Sequence, residues 1–304
     1  MAARVGVENS EFGVEEDSRV LPYAALAFGL VGLGFSAIFA KWANAPGAVS
    51  GFYRMTIASA VMAFPFAMRL RASHRLSARH LGYAVLAGLL FASDLACWNT
   101  ALLITSAANA TLLGNTSPLW VGLGAMLLFR QRLGSRFWLG LSVAMAGVLS
   151  VFGRDVMLHP RLGLADLLAL GSGFFYGLFF LATERARDGL ESLVCWWVSA
   201  AASAVTLLGF ALILGQPLTG YPPTTYWNLA AVALVTQIGS FLAISYALGH
   251  VRASVVAPTL LGQPVLTAVL AVPLLGQHLA ASQIAGGIVV IVGILLVHSA
   301  SRRG

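Results

Sequence analysis

Charged side chains are scarce in this chain. Asp, Glu, Lys and Arg make up 10% of its 304 residues, whereas soluble domains carry about 25%. So few charges cannot cover a water-facing surface, which excludes a soluble globular protein and indicates an integral membrane protein. The net charge of +7 does not indicate a nucleic-acid partner, because the basic residues fall in short links between apolar stretches.

Cysteines and catalytic motifs are also lacking. The two cysteines, Cys97 and Cys195, lie in apolar stretches and form neither a metal-binding spacing nor a disulfide framework. The chain has no HExxH, no GxSxG and no phosphate-binding GxxxxGK[ST] motif. The sequence therefore predicts no enzyme, no cofactor, no metal site and no ATP hydrolysis.

Apolar residues, by contrast, make up 59% of the chain and group into stretches long enough to cross a bilayer, which takes about 20 residues. The predicted spans are Leu21–Trp42, Gly47–Met68, Leu81–Leu103, Ser106–Phe129, Phe137–Gly153, Gly163–Thr183, Leu190–Leu214, Trp227–Leu248, Ala253–Leu275 and Ala280–Ser299. The predicted fold class is an all-α integral membrane protein with ten transmembrane helices. Residues 1–20, rich in Glu and Asp, are predicted to form a disordered cytoplasmic tail.

Basic residues set the predicted orientation, because Lys and Arg concentrate in cytoplasmic links. Of the 18 Lys and Arg residues, all but four fall in segments on one side when the ten spans alternate in direction. The exceptions are Lys41 and Arg54, inside spans, and Arg154 and Arg161, in an outer linker at residues 154–162. This asymmetry predicts that both termini are cytoplasmic.

An internal duplication relates two parts of the chain. A shift of 146 positions carries Asn99–Phe152 onto Ser245–His298 without gaps. Its identical pairs include Pro118 with Pro264 and Gly147 with Gly293. The shift moves each helix by five spans, an odd number, so the two copies cross the membrane in opposite senses. The sequence therefore predicts two inverted five-helix repeats, residues 21–153 and 163–300, which is typical of alternating-access transporters.

Several stretches carry a family resemblance: GFYRMTIAS in the second span, TSAANATLLGNTSPLWVGLGAMLLFRQRL in the fourth, and RASVVAPTLLGQPVLTAVLAVPLLGQHL in the ninth. With the ten-span repeat, they resemble the EamA family of the drug/metabolite transporter superfamily, most closely its YddG-type bacterial exporters of aromatic and other amino acids. The resemblance implies efflux of small metabolites across the bacterial inner membrane through a central cavity. One departure is that Trp196 and Trp197 stand near where the first repeat has Tyr53 and Arg54, so the two halves are not chemically equivalent.

Two ionisable residues lie deep inside predicted spans, where a charge is costly unless it is paired or wet. Arg54 is roughly 12 Å from the outer end of its span and Asp94 roughly 20 Å from the inner end of its own, so their depths nearly coincide. One interpretation is a structural salt bridge. The other is that they bind the carboxylate and amino groups of a zwitterion, or that Asp94 carries a coupling proton.

Further polar and aromatic residues inside spans predict a wet cavity, although polar side chains also form hydrogen bonds that simply hold helices together. These candidates for substrate binding are Tyr53, Trp98, Asn99, Asn109, Tyr176, Gln237, Ser240 and Tyr246. The repeat-related prolines Pro118 and Pro264 are candidates for kinks or hinges. Static kinks are the alternative.

The sequence thus predicts a secondary transporter that exports small metabolites, with amino acids, including aromatic ones, as the favoured substrates. A channel or facilitator for other small solutes, such as drugs or organic cations, is the alternative class. The predicted partners are a small-molecule substrate and membrane lipid, without nucleic acid. The oligomeric state is left open, and a monomer is possible.

Overall fold

The computed structural model describes residues 11–72, 76–104, 113–158, 163–275 and 281–301, and the regular structure in these ranges is helical. The α-helices are α1 (Glu11–Ala43), α2 (Gly47–Val61), α3 (Ala63–Ala72), α4 (Ala78–Ile104), α5 (Ser117–Phe129), α6 (Ser135–Leu158), α7 (Leu164–Arg187), α8 (Ser192–Ile213), α9 (Pro223–Val232), α10 (Phe241–Leu248), α11 (Ala253–Thr259), α12 (Gln263–Leu275) and α13 (Ala281–Ser301). A π-helical segment, Ala233–Ser240, joins α9 to α10, and a 3₁₀ turn, Leu260–Gly262, joins α11 to α12.

Six segments of the described chain are long and apolar enough to cross a membrane. They are Ala78–Ala101, Leu164–Arg187, Ser192–Ile213, Pro223–Leu248, Ala253–Leu274 and Ala281–Ala300, and shorter apolar helices cover Val20–Ser36, Ser117–Phe129 and Ser135–Ser150. The prediction of an all-α membrane protein is confirmed. The count of ten spans stays a prediction, and residues 105–112 and 276–280, at the ends of two predicted spans, lie outside the described ranges.

The first two predicted spans differ in extent from the observed helices. Helix α1 begins at Glu11 rather than Leu21, so only residues 1–10 of the predicted tail lie outside the described chain. The second predicted span is divided at Met62 into α2 and α3, because Pro65 has no N–H to donate to the carbonyl of Val61.

Helices α6 and α13 pack tightly against each other along glycines. A methyl group placed on Gly140 would lie 3.0 Å from the carbonyl oxygen of Gly293, and one on Gly147 would lie 2.8 Å from that of Gly286. As residue numbers rise along α6, the numbers of the contacted residues in α13 fall, so the two helices are antiparallel. The duplication pairs Gly140 with Gly286 and Gly147 with Gly293, so it exchanges these two contacts. A two-fold axis between α6 and α13 has this effect.

A large buried core is shared by helices of both halves. Helix α4 packs along α7, and the α9–α10 segment, its counterpart in the repeat, packs along α1. The buried apolar side chains of this core come from both halves and include Leu26, Phe91, Phe180, Leu207 and Ile244. Arg54, Asp94 and Gln237 are buried among these helices, so their environment is set by both halves.

Candidate functional site

Arg54 is buried on α2 and is bound by neutral side chains. It is 3% exposed. With its side-chain oxygen facing the guanidinium, Gln237 accepts hydrogen bonds from Arg54 Nε at 3.2 Å and from Nη2 at 2.6 Å. Arg54 Nη2 also donates to the hydroxyl of Ser36 on α1 at 3.5 Å. The positive charge is therefore hydrogen-bonded but not neutralised by these contacts.

The π-helical segment places Gln237 beside Arg54. Single π turns inside α-helices are rare and frequently occur at functional sites. Trp196 on α8 donates its indole N–H to the main-chain oxygen of Gln237 at 2.8 Å. Ser240, which ends the segment, donates to the carbonyl of Val235 at 3.2 Å. These bonds satisfy the main-chain oxygens of Gln237 and Val235 within the segment.

Asp94 on α4 is also buried with a neutral partner. It is 8% exposed, and its Oδ1 accepts a hydrogen bond from the hydroxyl of Ser172 on α7 at 2.5 Å. Asp94 and Arg54 are close enough to interact electrostatically, but these two described residues do not form a direct ion pair. The arrangement thus differs from a simple structural salt bridge.

Trp98 lies beside this acidic group. It follows Asp94 by one helical turn, and a methyl group on Gly114 would lie 3.3 Å from its indole ring and 3.8 Å from the Ser172 hydroxyl. Tyr176 is one turn beyond Ser172 on α7, and its ring packs 4.5 Å from that of Phe180. Trp98 and Tyr176 therefore flank the Asp94–Ser172 pair on two adjacent helices.

Two predicted residues make contacts that hold helices and loops together. The Asn99 amide donates to the carbonyls of Gly47 at 3.1 Å and Leu95 at 2.8 Å, joining α4 to the start of α2. Tyr53 points to the loop after α8, where its hydroxyl donates to the carbonyl of Leu218 at 2.8 Å. Their neighbours Arg54 and Trp98 face different surroundings, because adjacent residues on a helix point in different directions.

Tyr246 belongs to a separate surface groove. Its ring packs 4.6 Å from that of His250, and it lines a groove of about 990 Å³ with Phe28, Arg69 and Leu242. Arg54 and Asp94 are not among the lining residues of this groove. Ser240 packs closely against Gly32 of α1, on the side of the π segment that faces α1. Asn109 lies outside the described residues.

The paired prolines occupy equivalent positions after equivalent breaks. Pro118 is the second residue of α5, which follows a turn at Asn115 and Thr116. Pro264 is the second residue of α12, which follows the 3₁₀ turn Leu260–Gly262. A proline is tolerated near a helix start, because the N–H groups there have no intrahelical partner.

Sequence reasoning misses two partners in this region. Ser36 does not stand out in the sequence, and Trp196 is noticed there only as a departure from the repeat, because a serine or a tryptophan in an apolar span serves packing equally well. Among the described residues, no group of three or more His, Cys, Asp or Glu side chains could hold a metal ion.

Comparison with known proteins identifies the family. The model of the EamA-like transporter family matches residues 21–153 and again residues 163–299. The chain belongs to the EamA-like transporter family. It is therefore a membrane transporter and not an enzyme, and the double match agrees with the two copies seen in the sequence.

Relatives of this EamA protein carry the same general description. An uncharacterized transporter of Archaeoglobus fulgidus is 26% identical over 253 residues, covering 81% of this chain and 85% of the relative. Another, from Clostridium kluyveri, is 21% identical over 235 residues, covering 75% and 76%. A solved structure, titled only as the crystal structure of a protein, superposes with a TM-score of 0.75 at 17% identity over 92% of this chain and 98% of its own. That likeness concerns the fold alone.

Proposed function

We propose that this EamA protein is a secondary transporter that exports zwitterionic metabolites, amino acids and aromatic ones among them, across the bacterial inner membrane. In this proposal ten helices form two inverted five-helix repeats, residues 21–153 and 163–300, joined by an outer linker at 154–162. Both termini are cytoplasmic. The two repeats enclose one central site and expose it alternately to the two sides of the membrane.

One observation carries the proposal: two opposite buried charges are each held by neutral partners across the boundary between the halves. Arg54 of the first half is bound by Gln237 of the second, and Asp94 of the first half by Ser172 of the second. A buried charge with no counter-charge in contact is costly. The cost is offset when a ligand supplies the missing charge. A zwitterion supplies both, its carboxylate to Arg54 and its ammonium to Asp94.

Helix directions support the inverted architecture. Ser199 and Ser203 of α8 donate to Ala84 and Gly88 of α4, so numbers rise together and these helices are parallel. Helices α6 and α13 are antiparallel by the same reasoning from their glycine contacts. Parallel and antiparallel pairs of this kind follow if the predicted spans cross the membrane in alternating directions.

Aromatic side chains beside the charges support amino acids with flat side chains as substrates. Trp98 and Tyr176 flank Asp94 and Ser172, and rings prefer offset or edge-to-face contact with other rings, worth about 0.5–1.5 kcal/mol per pair beyond burial. Asp94 is also the carboxyl group suited to carry a coupling proton, because protonation would release a bound ammonium group. Coupling to a proton gradient is part of the proposal, as the chain has no nucleotide-binding motif.

The test is counterflow in vesicles containing the purified protein. Vesicles loaded with one unlabelled amino acid should accumulate the same labelled amino acid transiently, and a panel at two pH values should identify the class accepted. A channel would give equilibration without counterflow. If aromatic amino acids fail and only organic cations exchange, the zwitterion assignment is wrong. In an Asp94→Asn variant, residual transport should lose its dependence on the pH gradient.

A further inference from the structure

One end of the bundle carries three neighbouring contacts, two of which involve the C-terminal turn of α7. The Glu184 carboxylate accepts from the backbone N–H of Ala253 at 2.7 Å. The Arg185 guanidinium lies 3.9 Å from the ring centroid of Phe129. Beside them, the Ser254 hydroxyl donates to Oε1 of Gln131 at 3.0 Å. We call these five residues, Phe129, Gln131, Glu184, Arg185 and Ser254, the latch.

The latch joins the two halves of the protein. Phe129 and Gln131 belong to the first matched region, and the other three residues to the second. Two of the three contacts therefore cross between halves. The third fixes the first residue of α11 and so positions Ser254 for its bond to Gln131. Arginines surround the latch at positions 130, 132, 187 and 252, which makes this the predicted cytoplasmic end.

The contacts of α1 and α7 show that these two helices are also related by the repeat. Gly173 of α7 packs against Thr116, and Gly262, the counterpart of Thr116 in the second half, packs against Leu30 of α1. Leu30 is therefore the counterpart of Gly173. Lys41 lies 11 positions after Leu30 and Glu184 lies 11 positions after Gly173, so Lys41 is the counterpart of Glu184.

The repeat does not preserve the chemistry of the latch. The counterparts of Gln131 and Ser254 are Gln277 and Ala108, and that of Glu184 is Lys41. Alanine has no hydroxyl to donate, and an ammonium group cannot accept a hydrogen bond. By residue type alone, the repeat-related residues therefore cannot reproduce the side-chain hydrogen bonds of the latch.

We propose that the latch is the cytoplasmic gate of the transporter and that it makes the state closed at this end the resting one. The inference rests on the proposed alternating access. If the two halves rock against each other, the hydrogen bond from Ser254 to Gln131 and the cation–π contact between Arg185 and Phe129 must break each time the cytoplasmic end opens. Because the repeat-related residues cannot form the same bonds, the equilibrium between the two states favours closure at the cytoplasmic end.

Cross-linking tests the gate. Gln131→Cys and Ser254→Cys are combined in a background with Cys97→Ala and Cys195→Ser, and the pair is bridged with a short bis-methanethiosulfonate reagent. Bridging should lower counterflow about tenfold or more, as expected for a blocked conformational step, and a thiol reductant should restore it. The matched control is Thr259→Cys with His298→Cys, whose side chains lie 2.8 Å apart within the second half. Bridging that pair should leave counterflow unchanged.

The yield of bridging gives a readout that does not depend on transport. In the absence of substrate most of the protein should be bridged quickly, and a substrate that opens the cytoplasmic end should slow the reaction. Full counterflow by the bridged protein would overturn the gate, and a minority yield without substrate would overturn the resting closure. If the unmodified protein transports nothing in the panel, the proposed function fails, while the bridging yield still decides the resting state.

Discussion

The internal repeat is preserved in the α6–α13 contact and broken in the region around Arg54 and Asp94. In the α6–α13 contact, Gly147 and its counterpart Gly293 each meet the backbone of the partner helix, so both copies use the same residue type for the same purpose. In the polar region, Asp94 has Ser240 as its counterpart, and Ser240 donates into its own helix at Val235. One region is symmetric and apolar, and the other is asymmetric and charged.

This difference distinguishes the packing contacts that both copies inherit from the duplication from the polar groups that arose as the two copies diverged. Close backbone packing depends on small residues in register, which a duplicated segment inherits twice. A site for an asymmetric ligand needs different groups from each half, because a zwitterion presents opposite charges at its two ends. The buried charges, the π segment and the latch all break the repeat, and all three lie where the halves meet. Variants that perturb one region and spare the other test this division.

Neutralising the buried charges should have the largest effect. Arg54→Gln or Asp94→Asn should each lower transport about 100-fold, since a hydrogen bond to a charged group contributes about 1.5–3 kcal/mol and 1.4 kcal/mol is tenfold. The folded yield should be maintained, because neither charge has an ion-pair partner and each neutral variant avoids a desolvation cost. Counterflow and the thermal midpoint in detergent measure the two effects.

Arg71→Gln is the matched control. Arg71 is exposed at the end of α3, so its substitution should leave transport unchanged. Loss of folded protein in both Arg54→Gln and Asp94→Asn would contradict the functional assignment and support a structural role for the two charges.

Filling the symmetric contact should reduce stability rather than transport. A methyl group on Gly293 would overlap the backbone of Ala144, and one on Gly147 would lie 2.6 Å from the nitrogen of Val290. Overpacking typically costs about 1–3 kcal/mol, so Gly293→Ala and Gly147→Ala should each lower the thermal midpoint by roughly 2–10 °C. Transport per folded molecule should change little.

The glycine variants also have an internal standard. Gly82 has no atom within 4 Å of an added methyl group, so Gly82→Ala should be neutral or slightly stabilising. The comparison fails if Gly147→Ala and Gly293→Ala differ widely, because the two-fold contact requires similar effects at both positions.

A carboxylate at position 237 should compete with the substrate for Arg54. Above the pKa of the introduced carboxyl, Gln237→Glu places a negative charge against the guanidinium, and the apparent affinity for substrate should fall about tenfold, equal to about 1.4 kcal/mol. As the pH falls the carboxyl becomes neutral and resembles the native amide, so transport relative to the unaltered protein should recover. Gln237→Met, which cannot titrate, is the control and should show no such recovery.

Much of the scaffold could be predicted from sequence, because apolar stretches, basic links and repeated glycines report directly on membrane crossing and packing. The proximity of Arg54 and Asp94 also followed from their depths. The π segment could not be predicted, since it depends on tertiary partners such as Trp196. The sequence also does not show where the side chains of Tyr53 and Asn99 point, because a polar residue in a span gives the same pattern whether it faces a cavity or a neighbouring carbonyl.

The paired prolines should give the smallest effect and the closest test of symmetry. Pro118 and Pro264 stand at the second position of α5 and α12, directly after matching breaks. If these breaks act as hinges, Pro118→Ala and Pro264→Ala should each change the maximal rate and the apparent affinity together by a few-fold. Pro273→Ala, inside α12 and exposed, is the control. Transport by both variants at the rate of the unaltered protein would mean that the breaks are static, and the motion between halves would then have to arise in other segments. Unequal effects would instead mean that one half bends while the other moves as a rigid body, and the asymmetry of the polar site would then extend to the scaffold.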